Sequence, residues 1–319
     1  MTRVRTYIDA VALAGVGVLL AGCAMIQQVE PVPTPPSRPA ALVVPGDVPR
    51  SLGSEQLTRY YGRLQADLVA QGLLRTDGGG PDTPYTADVL ARNFERIAFF
   101  DEYAQGAGLT ATSRDTAGKL RRWSGPVRMD ISFGNSVPTA RRDQDRASVR
   151  NYVRRLARVT GHPISYAGQG NFHVLFMSED DTDQMIALLR QKVPNISDRT
   201  LEVITSLPRS IHCLVVAFSG NDNPQNYTRA VAVIRAEHPD LIRLSCIHEE
   251  LAQGLGLAND SPDARPSIFN DDDEFALLTS HDEQLLSMLY DPRLNQGMDA
   301  DAARPVIRIL ARELMGQQL

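Results

Sequence analysis

The chain has 319 residues, with 33 Lys and Arg against 38 Asp and Glu and a formal net charge of −5. That balance speaks against a nucleic-acid binder, which needs a dominant basic surface. Lys119 and Lys192 are its lysines, an Arg-for-Lys bias that reads as genome composition, and no internal repeat is visible.

The first segment is short and amphiphilic. Arg3 and Arg5 precede an apolar run from Ala10 to Gly22. Those 13 residues are too few to span a bilayer, which takes roughly 20, and suit the apolar part of a secretory signal. The run ends Leu20-Ala21-Gly22-Cys23. This resembles the bacterial lipobox, where small residues lead into a modified cysteine. The resemblance implies diacylglycerol on Cys23, cleavage of residues 1–22 and an acylated new N-terminus. Multiple acyl chains anchor stably where one does not. Ala24 follows Cys23, which resembles the outer-membrane sorting rule. The expectation is a lipid-anchored protein outside the cytoplasm, in the outer membrane facing the periplasm. Without residues 1–22 the charge is 31 basic against 37 acidic, or −6, after removing Arg3, Arg5 and Asp9.

Residues 23–50 read as a lipidated cysteine and linker. Seven prolines fall between Ala24 and Arg50, so the segment is an extended, semi-rigid spacer. Leu57, Tyr60, Tyr61, Leu64 and Leu68 recur three and four apart, predicting a helix over Ser54–Gln71. A Gly/Pro/Asp break over Thr76–Pro84 precedes a second predicted helix, Ala87–Tyr103. Together they form a helical N-terminal extension over 51–109.

The remaining 110–319 reads as one α+β domain. Val127–Phe133 alternates like a strand and Asp143–Val159 is an amphipathic helix. Ile164–Met177 is a strand or hairpin region, followed by a helix over Asp181–Lys192. Strands are predicted at Ile211–Ser219 and Thr228–Ala236, then helices at Leu241–Gly256, Asp282–Tyr290 and Ala300–Met315. After Cys23 only Cys213 and Cys246 remain. An oxidising compartment allows a disulfide between them, and two buried thiols is the other reading.

The densest chemistry lies in Cys246-Ile247-His248-Glu249-Glu250-Leu251-Ala252-Gln253-Gly254-Leu255-Gly256-Leu257-Ala258-Asn259-Asp260. His248-Glu249 does not start H-E-x-x-H, because Ala252 occupies the second histidine position. One residue later, Glu249, Gln253 and Asn259 fall on the histidines of H-E-x-x-H-x-x-G-x-x-H. Glu250 then falls on the glutamate and Gly256 on the glycine. In this register the segment resembles the metzincin metallopeptidases with each metal histidine replaced. Pro266–Phe269 sits where those enzymes make their methionine turn, and Leu278–Tyr290 resembles their closing helix. Cys246–Met298 also resembles a proteobacterial lipoprotein family without assigned function, the domain of unknown function 2927.

The resemblance implies a zincin-like fold with a mixed sheet and an active-site-type helix. Residues 249 and 253 share a helix face, and Gly256 permits a reversal that returns Asn259 or Asp260 to it. Three oxygen donors of this kind suit a hard cation better than zinc. The expected site is Glu249, Gln253 and Asn259 converging beside Glu250, with Asp260 as a further candidate, held by hydrogen bonds. His248 points about 100° away and reads as packing or surface. His162, His173, His212, His238 and His281 have no metal spacing, and Asn270–Glu274 reads as a solvated acidic turn. The leading expectation is a pseudo-metallopeptidase that binds a protein or peptide in the envelope. The alternatives are a metal-dependent hydrolase with Glu250 as general base and a structural envelope protein.

Replacing the thiol of Cys23 removes the lipid acceptor. Cys23→Ser is expected to move the protein out of the membrane fraction, and equal membrane retention of mutant and wild type would refute the anchor.

Overall fold

The computed structural model describes residues 49–100, 117–220, 222–270 and 272–317. The expected signal, Cys23, the linker up to residue 48 and the boundary at 109/110 lie outside them. Among the described residues the chain is α+β, with eight α-helices and a five-stranded mixed sheet. No described helix is long and apolar enough to cross a membrane.

Helix α1 (Leu52–Ala70) starts at Ser51, whose side chain accepts from the Ser54 N–H. Helix α2 (Ala87–Phe99) starts in the same way at Thr86. Its apolar face of Leu90, Phe94 and Ile97 is fully buried. Strand β1 (Val127–Phe133) runs into α3 (Thr139–Thr160), which begins a turn earlier than its apolar spacing predicts and stops at Gly161 in the left-handed region.

The Ile164–Met177 region is two strands and not a hairpin. β2 (Ile164–Tyr166) and β3 (Phe172–Met177) lie on opposite sides of β1, each parallel to it. A 3-10 turn, Glu179–Asp181, leads into α4 (Thr182–Lys192). Then comes α5 (Asp198–Thr205), a short helix the sequence reading did not include. β4 (Cys213–Gly220) pairs antiparallel with β5 (Asn223–Arg235), and β5 lies parallel to β3. Helices α6 (Asp240–Gln253), α7 (Ser280–Leu289) and α8 (Ala300–Leu314) complete the chain. The sheet order is β2-β1-β3-β5-β4.

All six residues of β3 are buried, as a strand covered on both faces requires. Phe172, Val174 and Phe176 face one core with Val149, Tyr152 and Leu156 of α3, Leu251 of α6 and Leu285 of α7. Leu90 and Phe94 of α2 and Ile307 of α8 belong to that same core. On the other face, Leu175 and Met177 pack with Met185 and Leu189 of α4 and Leu201 and Ile204 of α5.

The end of α6 is held unusually close to the sheet. A Cβ at Gly254 would stand 2.4 Å from a Phe172 ring carbon. The Trp123 indole, stacked on Phe172, donates to the Gly254 carbonyl at 2.9 Å. Two residues on, Gly256 has φ +133° and its hydrogen faces the Arg121 carbonyl, 2.5 Å from where a Cβ would lie. Downstream, the fully buried Asp282 carboxylate accepts from Ser267 Oγ, Thr279 Oγ1 and the Ile268 and Thr279 N–H groups. It joins the start of α7 to the segment beneath α6.

Gly256→Ala combines a disfavoured φ with a backbone clash. The expected cost is about 2–4 kcal/mol, read as a fall in the urea midpoint without a change in slope. A variant as stable as wild type would show that the turn rearranges freely.

Candidate functional site

Helix α6 carries the site because its two ends are fixed independently. Near its start Arg243 pairs with Asp145 of α3 at 2.8 Å, both side chains 4 % exposed. An unpaired charge there would be costly, so this pair sets how α6 lies on α3. In the middle Cys246 is disulfide-bonded to Cys213 at the start of β4, with Cα atoms 5.9 Å apart. Of the two readings of these cysteines, the structure adopts the bonded one.

Between α6 and β4 lies a cavity of about 750 Å³. One wall is β4, from Cys213 to Ser219. The floor carries Glu249, Glu250 and Gln253 of α6, with Asp260 and Ile268 from the segments that follow. Ser197, Thr200 and Val203, in and beside α5, and Ile211 and His212 line the opposite side. Among the described residues β4 pairs only with β5, at the end of the sheet, and its residues 213–219 all line the cavity.

The expected cluster forms in part. Glu249, Glu250, Gln253 and Asp260 share the cavity. The Gln253 amide donates to Asp260 Oδ1 at 3.2 Å. Asn259 does not join them: it is buried, and its amide donates to the Arg96 carbonyl of α2 at 3.1 Å. The turn at Gly256 returns Asp260 to the face and sends Asn259 into the α2 packing. Asp260 thus stands in the place expected for Asn259.

As a metal centre the donor set is poor. Among the described residues, the His, Cys, Asp and Glu atoms close enough to share an ion are those of Cys213, Glu249 and Glu250. The Cys213 sulfur is already committed to Cys246. That leaves two carboxylates, with the Gln253 amide turned to Asp260. Two carboxylates with no imidazole or thiolate do not make the three- or four-ligand set that holds zinc.

His248 has a structural role on the reverse side of α6. Its Nδ1 accepts the Leu278 N–H at 2.9 Å, and its ring stacks on Tyr152 with centroids 4.0 Å apart. The Tyr152 hydroxyl donates to the His248 carbonyl at 2.8 Å. Burial, with the nearby Arg155 guanidinium, pushes this imidazole down to about 3. Burial likewise holds His238, beside Cys246, well below the usual histidine range. The sequence reading lacked the roof beside α5, although Ser197 capping Thr200, and Leu201 with Ile204, gave a signal for that short helix.

Because folded His248 resists protonation, the unfolded chain binds the extra proton below pH 6.5. Stability from this group is complete above 6.5 and is lost as pH falls toward 3. His248→Asn keeps an acceptor near the Nδ1 position but does not titrate there. Between pH 6.5 and 4.5 the wild type is expected to lose about 2–3 kcal/mol more than His248→Asn in urea unfolding. Parallel pH profiles would show that His248 is already protonated in the fold.

No curated protein and no solved structure matches the chain. A family model described as "Protein of unknown function (DUF2927)" matches residues 87–309, from the first residue of α2 into α8. That span holds the whole sheet, α6 and the acidic and amide residues that line the cavity. The chain therefore belongs to the DUF2927 family of unknown function.

Proposed function

We propose that this is a lipoprotein of the cell envelope, anchored through Cys23, whose zincin-like domain binds an extended peptide or protein segment without cleaving it. The observation that carries the binding reading is the cavity lying along β4, the strand at the end of the sheet. An open strand edge offers a row of N–H and C=O groups to an incoming strand, and pockets beside it select side chains. The lining holds the carboxylates of Glu249, Glu250, Asp260 and Asp273 together with the guanidinium groups of Arg121 and Arg199.

The zincin-like reading rests on the register of Glu249, Glu250, Gln253 and Gly256, and is supported by a mixed sheet backing the helix that bears them. Ile268 and Phe269, at the place of the methionine turn, are buried, and Ile268 lines the cavity floor. Zinc, which the resemblance implies, does not fit the donors, so no catalytic step is assigned to it. The shape of a peptide cleft is kept, while the chemistry that would activate water is not.

Two measurements test this on the purified protein. Peptides selected from a random displayed library are expected to slow amide exchange in residues 213–219 and to be recovered uncleaved. Protection confined to other segments would refute the strand-edge site. Stoichiometric retained metal, with peptide cleavage abolished by Glu250→Gln, would instead make the protein a hydrolase.

A further inference from the structure

Helix α3 has two chemically distinct sides. Val149, Tyr152, Val153 and Leu156 are buried against the core. The outer side carries Arg150, Arg154 and Arg158, all exposed, and Arg146, whose side chain is 35 % exposed. They are four residues apart and form one row, about 6 Å per step and about 18 Å long. The helix holds seven arginines and two aspartates in its 22 residues, within a chain of net charge −5.

The aspartates do little to neutralise that row. Asp145 is buried on Arg243, and Asp143 pairs with Arg146. Among the described residues no carboxylate pairs with Arg150, Arg154 or Arg158. Arg150 lies over the Tyr166 ring at 4.5 Å and Arg154 donates to the neutral Asn151 side chain, contacts that leave both charges in place. Like charges four apart repel, so the row costs helix stability unless an anion faces it.

The point of chain entry lies beside this helix. The Ser51 N–H donates to Asp180 at 2.9 Å. The neighbouring Asp181 carboxylate accepts from the N–H and hydroxyl of Ser136, two residues before Pro138, the N-cap of α3. The described part of the chain therefore begins next to the first turn of the arginine helix. α3 packs against β2, whereas the cavity follows β4 at the other edge of the sheet.

We propose that the arginine row of α3 docks on the anionic phospholipid headgroups of the membrane that holds the anchor. This rests on the lipoprotein reading above. Guanidinium groups match phosphodiester oxygens in charge and fork geometry. Each arginine contributes modestly, but the anchor holds the domain at high effective concentration, so a weak face suffices to orient it. Docked this way, the domain turns α3 to the lipid and leaves the β4 cavity on the side away from it.

The test uses the mature chain with Cys23→Ser, which has no lipid of its own. It is sedimented with vesicles of equal parts phosphatidylglycerol and phosphatidylcholine, and with pure phosphatidylcholine. Binding is expected only to the anionic vesicles and is expected to disappear at high salt. Arg150→Gln, Arg154→Gln and Arg158→Gln combined are expected to weaken it roughly 100-fold, at about fivefold per charge. The combined control Arg63→Gln, Arg92→Gln and Arg308→Gln, equal in charge and also exposed, is expected to bind like the parent. Circular dichroism establishes that both triples are folded. Equal binding to neutral vesicles, equal loss in the two triples, or binding to heparin without binding to vesicles would each overturn the docking. The anchor is judged separately, by the mass of the membrane-extracted wild type. Absence of lipid on Cys23 overturns the lipoprotein reading whatever the vesicles show.

Discussion

Helix α6 reaches the sheet only because residue 254 has no side chain. Phe172 fills the space a Cβ would need, and the Trp123 indole holds the Gly254 carbonyl over it. Close packing of this kind is intolerant of added volume, since interiors have no spare space. Once the end of α6 is pinned there, the disulfide at Cys246 and the Arg243–Asp145 pair leave the helix no freedom to rotate. The direction of every α6 side chain follows from that constraint.

Successive residues on a helix are about 100° apart, so one short stretch serves two tasks. His248 faces α3 and the loop before α7, where a neutral imidazole accepts a backbone N–H. Glu249, Glu250 and Gln253 face the cavity. Burial favours the neutral form of His248, whereas Glu249 on the cavity side keeps partial exposure. Asp282 performs the complementary task on the far side. Its four hydrogen bonds compensate a buried carboxylate and keep Ile268 and Phe269 beneath α6.

Charge is unevenly distributed over the fold. The cavity by β4 mixes carboxylates with Arg121 and Arg199, while the arginine row lies on the helix packed against β2. The net charge of −5 conceals this unevenness, because a total says nothing about where its parts lie.

Local spacing was enough to read most helices and strands to within a few residues, because the periods of 3.6 and 2 are properties of the backbone itself. It also placed Glu249 and Gln253 on one face and identified Gly256 as the turn. It did not separate a hairpin from two strands flanking β1, since that choice depends on which strand fills the gap between them. Eight residues with two buried apolar side chains were too short a pattern to mark α5. The cysteine pairing stayed open until β4 was brought against α6. The choice between Asn259 and Asp260 likewise belongs to the tertiary structure. After Gly256 the path of the chain is set by Arg121, Arg122 and Leu289, and the Arg96 carbonyl takes the Asn259 amide. The sequence by itself determined which residues could share a face; contacts from distant segments decided which of them do, because a loop's direction after a glycine is fixed by its neighbours in space and not by its own torsional preference.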